Sequence, residues 1–296
     1  MKAVAKVTKI IRILAFGCWC SQVWADELLA KPVILTTIKP LALIAASAVG
    51  DAATVEYLQS PAQSAHDLHL TPSMLQRIAA ADLVIRVDPA FEQRLNKHLA
   101  KIPTERLITA STLDLHWPSS NLPPSNDRPL ERDLHFWLNP SNAEVLARRI
   151  QQILKLPPRR LIDDATLQRH QRVLTPFADQ STIAYHDAYG HFASAFRLSR
   201  PTTIRDAAGH PQGLASHYAM HRSATAEQPS CVFVEAQYAG RDATAMAKNL
   251  GIQALPLDLL GIQITVGADA YSHFIERLVT QYSACFGTFS RVVQGA

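Results

Sequence analysis

The sequence predicts an α/β protein of two lobes, each built on a parallel-type sheet, with a cleft between them. Three observations carry this. Short β-branched or apolar runs alternate with amphipathic helical patterns, as parallel α/β units require. The alternation stops at Pro157-Pro158 and a polar helical stretch, then begins again in the second half. In both halves strand-like runs end in polar residues, and ligands of such sheets bind at the carboxyl ends of strands. With 296 residues, 48% of them hydrophobic, the chain can fill two cores.

Val33 to Ile38 is the first buried strand, and Lys39-Pro40 opens a helix ending near Gly50. Thr54 to Leu58 is the next strand and runs into a polar loop holding His66. Thr71 is an N-cap and Pro72 a first-turn proline for a helix to about Ala80. Leu83 to Val87 is again strand-like, and Arg106 to Thr109 is a weaker strand. Trp117 to Arg128 is rich in Pro, Ser and Asn without periodicity, an exposed excursion.

Asn139 caps a helix from Pro140 to Leu156, with Val145, Leu146, Ile150, Ile153 and Leu154 as its apolar stripe. A more polar helix from Arg159 to about Leu174 follows, as helices that bridge domains often read. Thr182 to Tyr185 is a strand delivering His186, and Ala188 to Phe196 a helix. Thr202 to Arg205 and Cys231 to Val234 are strands, the second delivering Glu235. Arg241 to Leu250 is helical, Ala254 to Leu257 is a strand delivering Asp258, and Ser272 to Ala284 is the last helix. The expected organisation is thus a leader over 1–25, a first lobe over 26–139, a helical connection over 140–180 and a second lobe over 181–296.

The leader reads as a secretory signal. Lys2, Lys6, Lys9 and Arg12 precede a largely apolar Ile10 to Trp24, and Val23-Trp24-Ala25 has the small-x-small pattern of a cleavage site. A membrane anchor is the alternative, against which the run is short and broken by Arg12 and Gln22. A lipoprotein modified at Cys18 fits poorly, because Leu14-Ala15-Phe16-Gly17 is a weak lipobox. The leader's four cations and no acids account for the formal charge of +4. The mature chain is near neutral, and without interleaved basic and aromatic residues it has no nucleic-acid surface. Cleavage also leaves only Cys231 and Cys285. Exported pairs of this kind usually form one disulfide, the alternative being two buried free thiols.

Three short stretches pair a His with an Asp at strand–helix junctions: His66-Asp67, Asp133 with His135, and His186-Asp187. Their shared context points to one metal site assembled by folding. Three imidazoles favour zinc over the oxygen-seeking manganese and magnesium, and zinc takes four tetrahedral ligands. Asp258 or water fills the fourth place, and Asp67, Asp133 and Asp187 orient the rings by accepting the second N–H. His69, His116, His191, His210, His217 and His221 lack that context and count as background.

Thr37-Ile38-Lys39-Pro40, Ser64-Ala65-His66-Asp67, His135-Phe136-Trp137-Leu138-Asn139-Pro140, His186-Asp187-Ala188-Tyr189-Gly190 and Leu257-Asp258-Leu259-Leu260-Gly261 occur in that order. Together they resemble the zinc-binding solute-binding proteins of bacterial metal ABC importers, over nearly all the mature chain. The resemblance implies two α/β lobes joined by a rigid inter-lobe helix with Zn2+ in the cleft, held by His66, His135 and His186. It maps the second-lobe carboxylate to Asp258, matches Cys231 and Cys285 to a disulfide of some zinc members, and implies a monomer that hands its metal to a membrane permease in the periplasm. Three departures stand out. The 117–128 loop has no His, Ala65 stands where some relatives carry Glu, and Pro158 to Ala184 is short for the family's inter-lobe helix. Two other readings remain open at this level. One is a secreted zinc hydrolase with three His, a water and Glu235 as base, although no His-Glu-x-x-His helix is present. The other is a metal-binding adhesin or sensor.

Overall fold

The computed structural model describes residues 30–60, 70–118, 132–206, 228–235, 237–238 and 241–287. The expected leader, His66, Asp67, His69, His210, His217, His221 and most of the 117–128 loop lie outside these residues. In the first half the β-branched runs become strands β1 (Val33–Thr36), β2 (Thr54–Tyr57), β3 (Leu83–Arg86) and β4 (Leu107–Thr109). They form one sheet in the order β2-β1-β3-β4, with every pair parallel. Strands β5 (Ile183–His186), β6 (Thr202–Arg205), β7 (Cys231–Val234) and β8 (Gln253–Pro256) form a second sheet in the order β6-β5-β7-β8, again all parallel. The two halves therefore share one topology without sharing a sequence repeat. Pro256 is tolerated in a strand because it ends β8, which lies at the sheet edge.

Helix α1 (Lys39–Val49) is apolar on every side, and every one of its residues is buried. It packs against α4 (Pro140–Ile153) and α8 (Ala270–Ala284), so one hydrophobic core holds residues of both halves, among them Ile38, Leu43, Trp137, Leu146, Phe233, Leu260 and Phe274. Gly261 makes one close approach possible. Its φ is +61°, and a Cβ there would stand 2.6 Å from Leu43 Cδ1. Thr71 caps α2 (Pro72–Ala80) by accepting from Met74 N–H, as its sequence predicts. A further short helix, α3 (Asn96–Leu99), has no counterpart among the expected elements.

The connection between the sheets differs from expectation. Helix α4 stops at Ile153 rather than Leu156, and α5 starts at Asp164 rather than Arg159. Asp163 sets that start, because its carboxylate accepts from Thr166 N–H at 2.8 Å. The α5 helix thus has 11 residues, ending at Leu174. Helix α6 (Gly190–Phe196) starts two residues later than its pattern, whereas α7 (Arg241–Leu250) has the expected bounds. Trp117 also departs from an exposed excursion, since it packs against the core and meets the His191 ring edge-on at 5.6 Å.

Cys231, at the start of β7, is disulfide-bonded to Cys285, which follows α8. The bond closes a sequence separation of 54 residues. Such a closure contributes roughly 4 kcal/mol in the chain-entropy account.

His170, on α5, is 3% exposed, and neither ring nitrogen has a hydrogen-bond partner. Burial first, and Arg169 second, hold its imidazole below the usual value against the weaker pull of Glu276 and Asp163. The ring therefore stays neutral in the fold at pH values where the unfolded chain already binds a proton. Stability contributed by this position is present above about pH 6.5 and is lost as the pH falls. His170→Leu should raise the thermal midpoint of the metal-free protein by roughly 2–4 °C at pH 7.5, on the order of 1 kcal/mol, and by more at pH 5.5. Thermal unfolding at the two pH values checks this, and an equal gain at both would contradict it.

Candidate metal centre

The site forms where strand order reverses. In the second sheet β5 lies between β6 and β7, so the crevice at the carboxyl ends of β5 and β7 is a topological switch point. His186 is the last residue of β5, and Glu235 directly follows β7. The register pairs Ala184 with Phe233, so continuing it by two residues sets His186 opposite Glu235. His135 arrives from the first half. It precedes a single 3-10 turn, Phe136–Leu138, after which Asn139 accepts from Ser141 N–H and α4 begins. The Trp137 and Phe91 rings meet the His135 ring edge-on at 5.1 and 6.0 Å, so its plane is fixed by packing as well as by hydrogen bonds.

The two imidazoles come together. Their Nε2 atoms are 3.3 Å apart, and both side chains are almost completely buried. Each ring is braced from behind by a carboxylate. His135 Nδ1–H donates to Asp133 Oδ1 at 2.8 Å, and His186 Nδ1–H donates to Glu235 Oε1 at 2.6 Å. A braced Nδ1–H leaves Nε2 as the ring atom able to act as a ligand. Two ligands about 2.0–2.1 Å from a tetrahedral zinc lie about 3.3–3.4 Å apart, the separation seen here.

The electrostatics follow from the bracing. Burial opposes charge on Asp133, but the hydrogen bond and the charge of His135 outweigh it and hold this carboxyl well below the usual range. For His186, burial pulls the pKa down, while the Glu235 charge and hydrogen bond outweigh it and raise the imidazole above its usual value. Glu235 is itself positioned, since Oε2 accepts from Gln237 Nε2–H at 2.7 Å. Tyr189 O–H points to Oε1 at the longer distance of 3.4 Å.

The expected bracing partners need one correction. Asp133 orients His135 as anticipated, but Asp187 does not orient His186. It pairs with Arg200 at 2.6 Å instead, and Glu235 takes its expected place. Successive side chains of an extended chain point to opposite sides, so a residue adjacent to the His turns away from Nδ1. Asp133 stands two before its His and shares its side. Glu235 reaches His186 from the neighbouring strand. Glu235 also braces Nδ1, the ring atom turned away from His135, so it stands behind the ring rather than beside the Nε2 pair.

Asp258 follows β8 and is buried. Its carboxylate closes its own loop, Oδ1 accepting from Leu260 N–H at 3.1 Å and Oδ2 from Ile262 N–H at 2.7 Å. Lys39, from the first half, donates Nζ–H to Ile262 C=O at 2.6 Å, and Trp137 Nε1–H donates to Leu259 C=O at 2.9 Å. The loop carrying Asp258 is therefore tied to the segment carrying His135. Burial lowers the Lys39 pKa, and the Asp258 charge partly restores it.

The family model described as the periplasmic zinc-uptake complex component A matches residues 34–156. The high-affinity zinc uptake system protein ZnuA of Yersinia pestis is 28% identical over 295 aligned residues, covering 87% of this chain and 92% of that protein. The fold is that of a crystal structure of ZnuA, with a TM-score of 0.67 at 18% identity over 86% of this chain and 98% of that one. It is likewise that of the periplasmic zinc binding protein TroA from Treponema pallidum, with a TM-score of 0.64 at 16% identity over 85% of this chain and 99% of that one.

The bracing geometry predicts which carboxylates matter to a bound divalent ion. Glu235→Gln and Asp133→Asn should each weaken binding roughly 10–100-fold, as loss of a carboxylate behind a ligand ring does. Asp187→Asn should stay within about threefold by the same reasoning. Isothermal titration of the three variants with zinc separates them, and an Asp187→Asn loss equal to that of Glu235→Gln would place the brace on the wrong side.

Proposed function

Proceeding from its likeness to the periplasmic zinc-binding solute-binding proteins, we propose that this chain captures Zn2+ between its two lobes and delivers it to the membrane permease of an ABC importer. His66, His135 and His186 are the imidazole ligands of this reading, and Asp258 or water completes the tetrahedron. The leader over 1–25 is cleaved and the mature chain acts in the periplasm as a monomer, with lobes over 26–139 and 181–296 and the connection over 140–180.

One observation carries the reading. Two buried imidazoles from different halves of the chain, each braced by a carboxylate, hold their Nε2 atoms at the 3.3 Å spacing of two zinc ligands. The position of Glu235 favours a binding protein over a hydrolase. A general base must reach the metal-bound water, and Glu235 is engaged behind His186 at Nδ1. The proteins it resembles serve zinc uptake and zinc binding, which supports the reading.

Zinc titration tests the proposal. His66→Ala, His135→Ala and His186→Ala should each weaken binding at least a hundredfold, and Asp258→Ala should cost less if water holds the fourth position. Protons compete with zinc for the imidazoles. Because Glu235 raises His186 above its usual value, the affinity should begin to fall above pH 6.5 and decline further through pH 6. The metal-free protein should show the opposite trend from this residue, its stability present below about pH 6.5 and lost as the pH rises through the raised value. Wild-type affinity in His186→Ala would end the interlobe assignment.

A further inference from the structure

His191 carries none of the sequence context of the ligand histidines, yet it is the centre of a second buried polar chain. Its residue is fully buried in the first turn of α6, five residues beyond His186. Its Nε2 lies 2.8 Å from the backbone carbonyl oxygen of Asp133, and its Nδ1 lies 3.2 Å from Asn142 Nδ2. The orientation of the Asn142 amide fixes the tautomer. Asn142 Oδ1 accepts from His116 N–H at 2.8 Å, and Nδ2 donates to His116 C=O at 2.9 Å. A donor therefore faces His191 Nδ1, which must accept, so Nε2 carries the hydrogen and donates to Asp133 C=O.

Asp133 is thereby clasped on two sides. Its carboxylate accepts both His135 N–H at 3.0 Å and His135 Nδ1–H at 2.8 Å, while its carbonyl is held by His191. Gly190, the residue before His191, makes room for this. A Cβ on Gly190 would stand 2.7 Å from Asp133 Oδ2. A single segment of the second half thus supplies His186 to the site and, five residues later, holds the backbone carbonyl of the residue whose carboxylate orients His135.

We propose that His191 is a positioning residue of the metal site, setting the angle of the His135 ring through Asp133 and so coupling the two halves of the site before metal arrives. This rests on reading His135 as a zinc ligand. Loss of the His191 donor frees the Asp133 peptide to rotate, its carboxylate no longer fixes His135 Nδ1, and the 3.3 Å Nε2 spacing is no longer held in advance. Outer residues of this kind typically change metal affinity by about 10–100-fold.

Two polar substitutions separate the role from simple packing. His191→Gln keeps a donor near the Nε2 position, and His191→Asn keeps an acceptor near Nδ1 but has no atom that reaches Asp133. Zinc titration of the full mature chain should find the Gln variant within about threefold of wild type and the Asn variant weaker by about tenfold or more. In an Asp133→Ala background the Asn substitution should cost less than about twofold, because the route through Asp133 is gone. Equal affinities for the Gln and Asn variants, or an undiminished Asn effect in the Asp133→Ala background, would overturn the proposal. Failure of the wild-type chain to bind zinc would instead overturn the functional reading on which it rests.

Discussion

Two buried imidazole nitrogens 3.3 Å apart, each ring made ready for coordination by a carboxylate at its far side, form the constraint that the rest of this structure serves. Lone pairs turned toward each other at that distance repel, so the arrangement is relieved by a cation between them. A tetrahedral metal fits between them with the spacing already set. The cost of burying the two carboxylates is offset because each meets an N–H donor of a ring that shares its burial, Asp133 accepting also from His135 N–H and Glu235 from Gln237. Polar groups in such a position need a rigid frame.

That frame is the pair of parallel sheets with one strand order. Each sheet has a switch point beside its first strand, and each switch point is occupied by a buried Glu. In the second sheet it is Glu235, bound to His186. In the first it is Glu92, whose carboxylate accepts from Thr37 O–H at 2.6 Å and from Val87 and Asp88 N–H at 2.8 and 3.0 Å. Burial raises Glu92 to about 7 despite those three donors. The same crevice thus does two things: in one half it closes the end of the sheet, and in the other it braces the His186 ring.

The halves are held together by more than the meeting of His135 and His186. The wholly buried α1 lies between α4 and α8, Lys39 reaches the loop after Asp258, and Tyr271 O–H donates to Trp137 C=O at 2.8 Å. Trp137 in turn donates to Leu259 C=O. The His135 segment of the first half and the Asp258 loop of the second are therefore tied through Trp137 and Lys39. Shared packing of this kind limits how far the two sheets can move apart, and the 11-residue α5 adds a short connection rather than a long lever.

The sequence by itself determined the class of fold, because a parallel α/β sheet needs buried β-branched runs between capped helices, and those patterns are local. Lys39-Pro40, Thr71-Pro72 and Asn139-Pro140 set helix starts to the residue for the same reason. Asp163 is a local cap signal of the same kind, and its bond to Thr166 N–H starts α5 at Asp164 rather than at Arg159. The first brace was legible too, since Asp133 and His135 are two apart on one extended stretch. Which carboxylate faces His186 was decided only by tertiary structure, because the partner sits 49 residues away on the neighbouring strand and the adjacent Asp187 points to the other side. His191 was illegible for the same reason. Its meaning depends on a backbone carbonyl 58 residues earlier in the chain, and a carbonyl leaves no mark in a sequence.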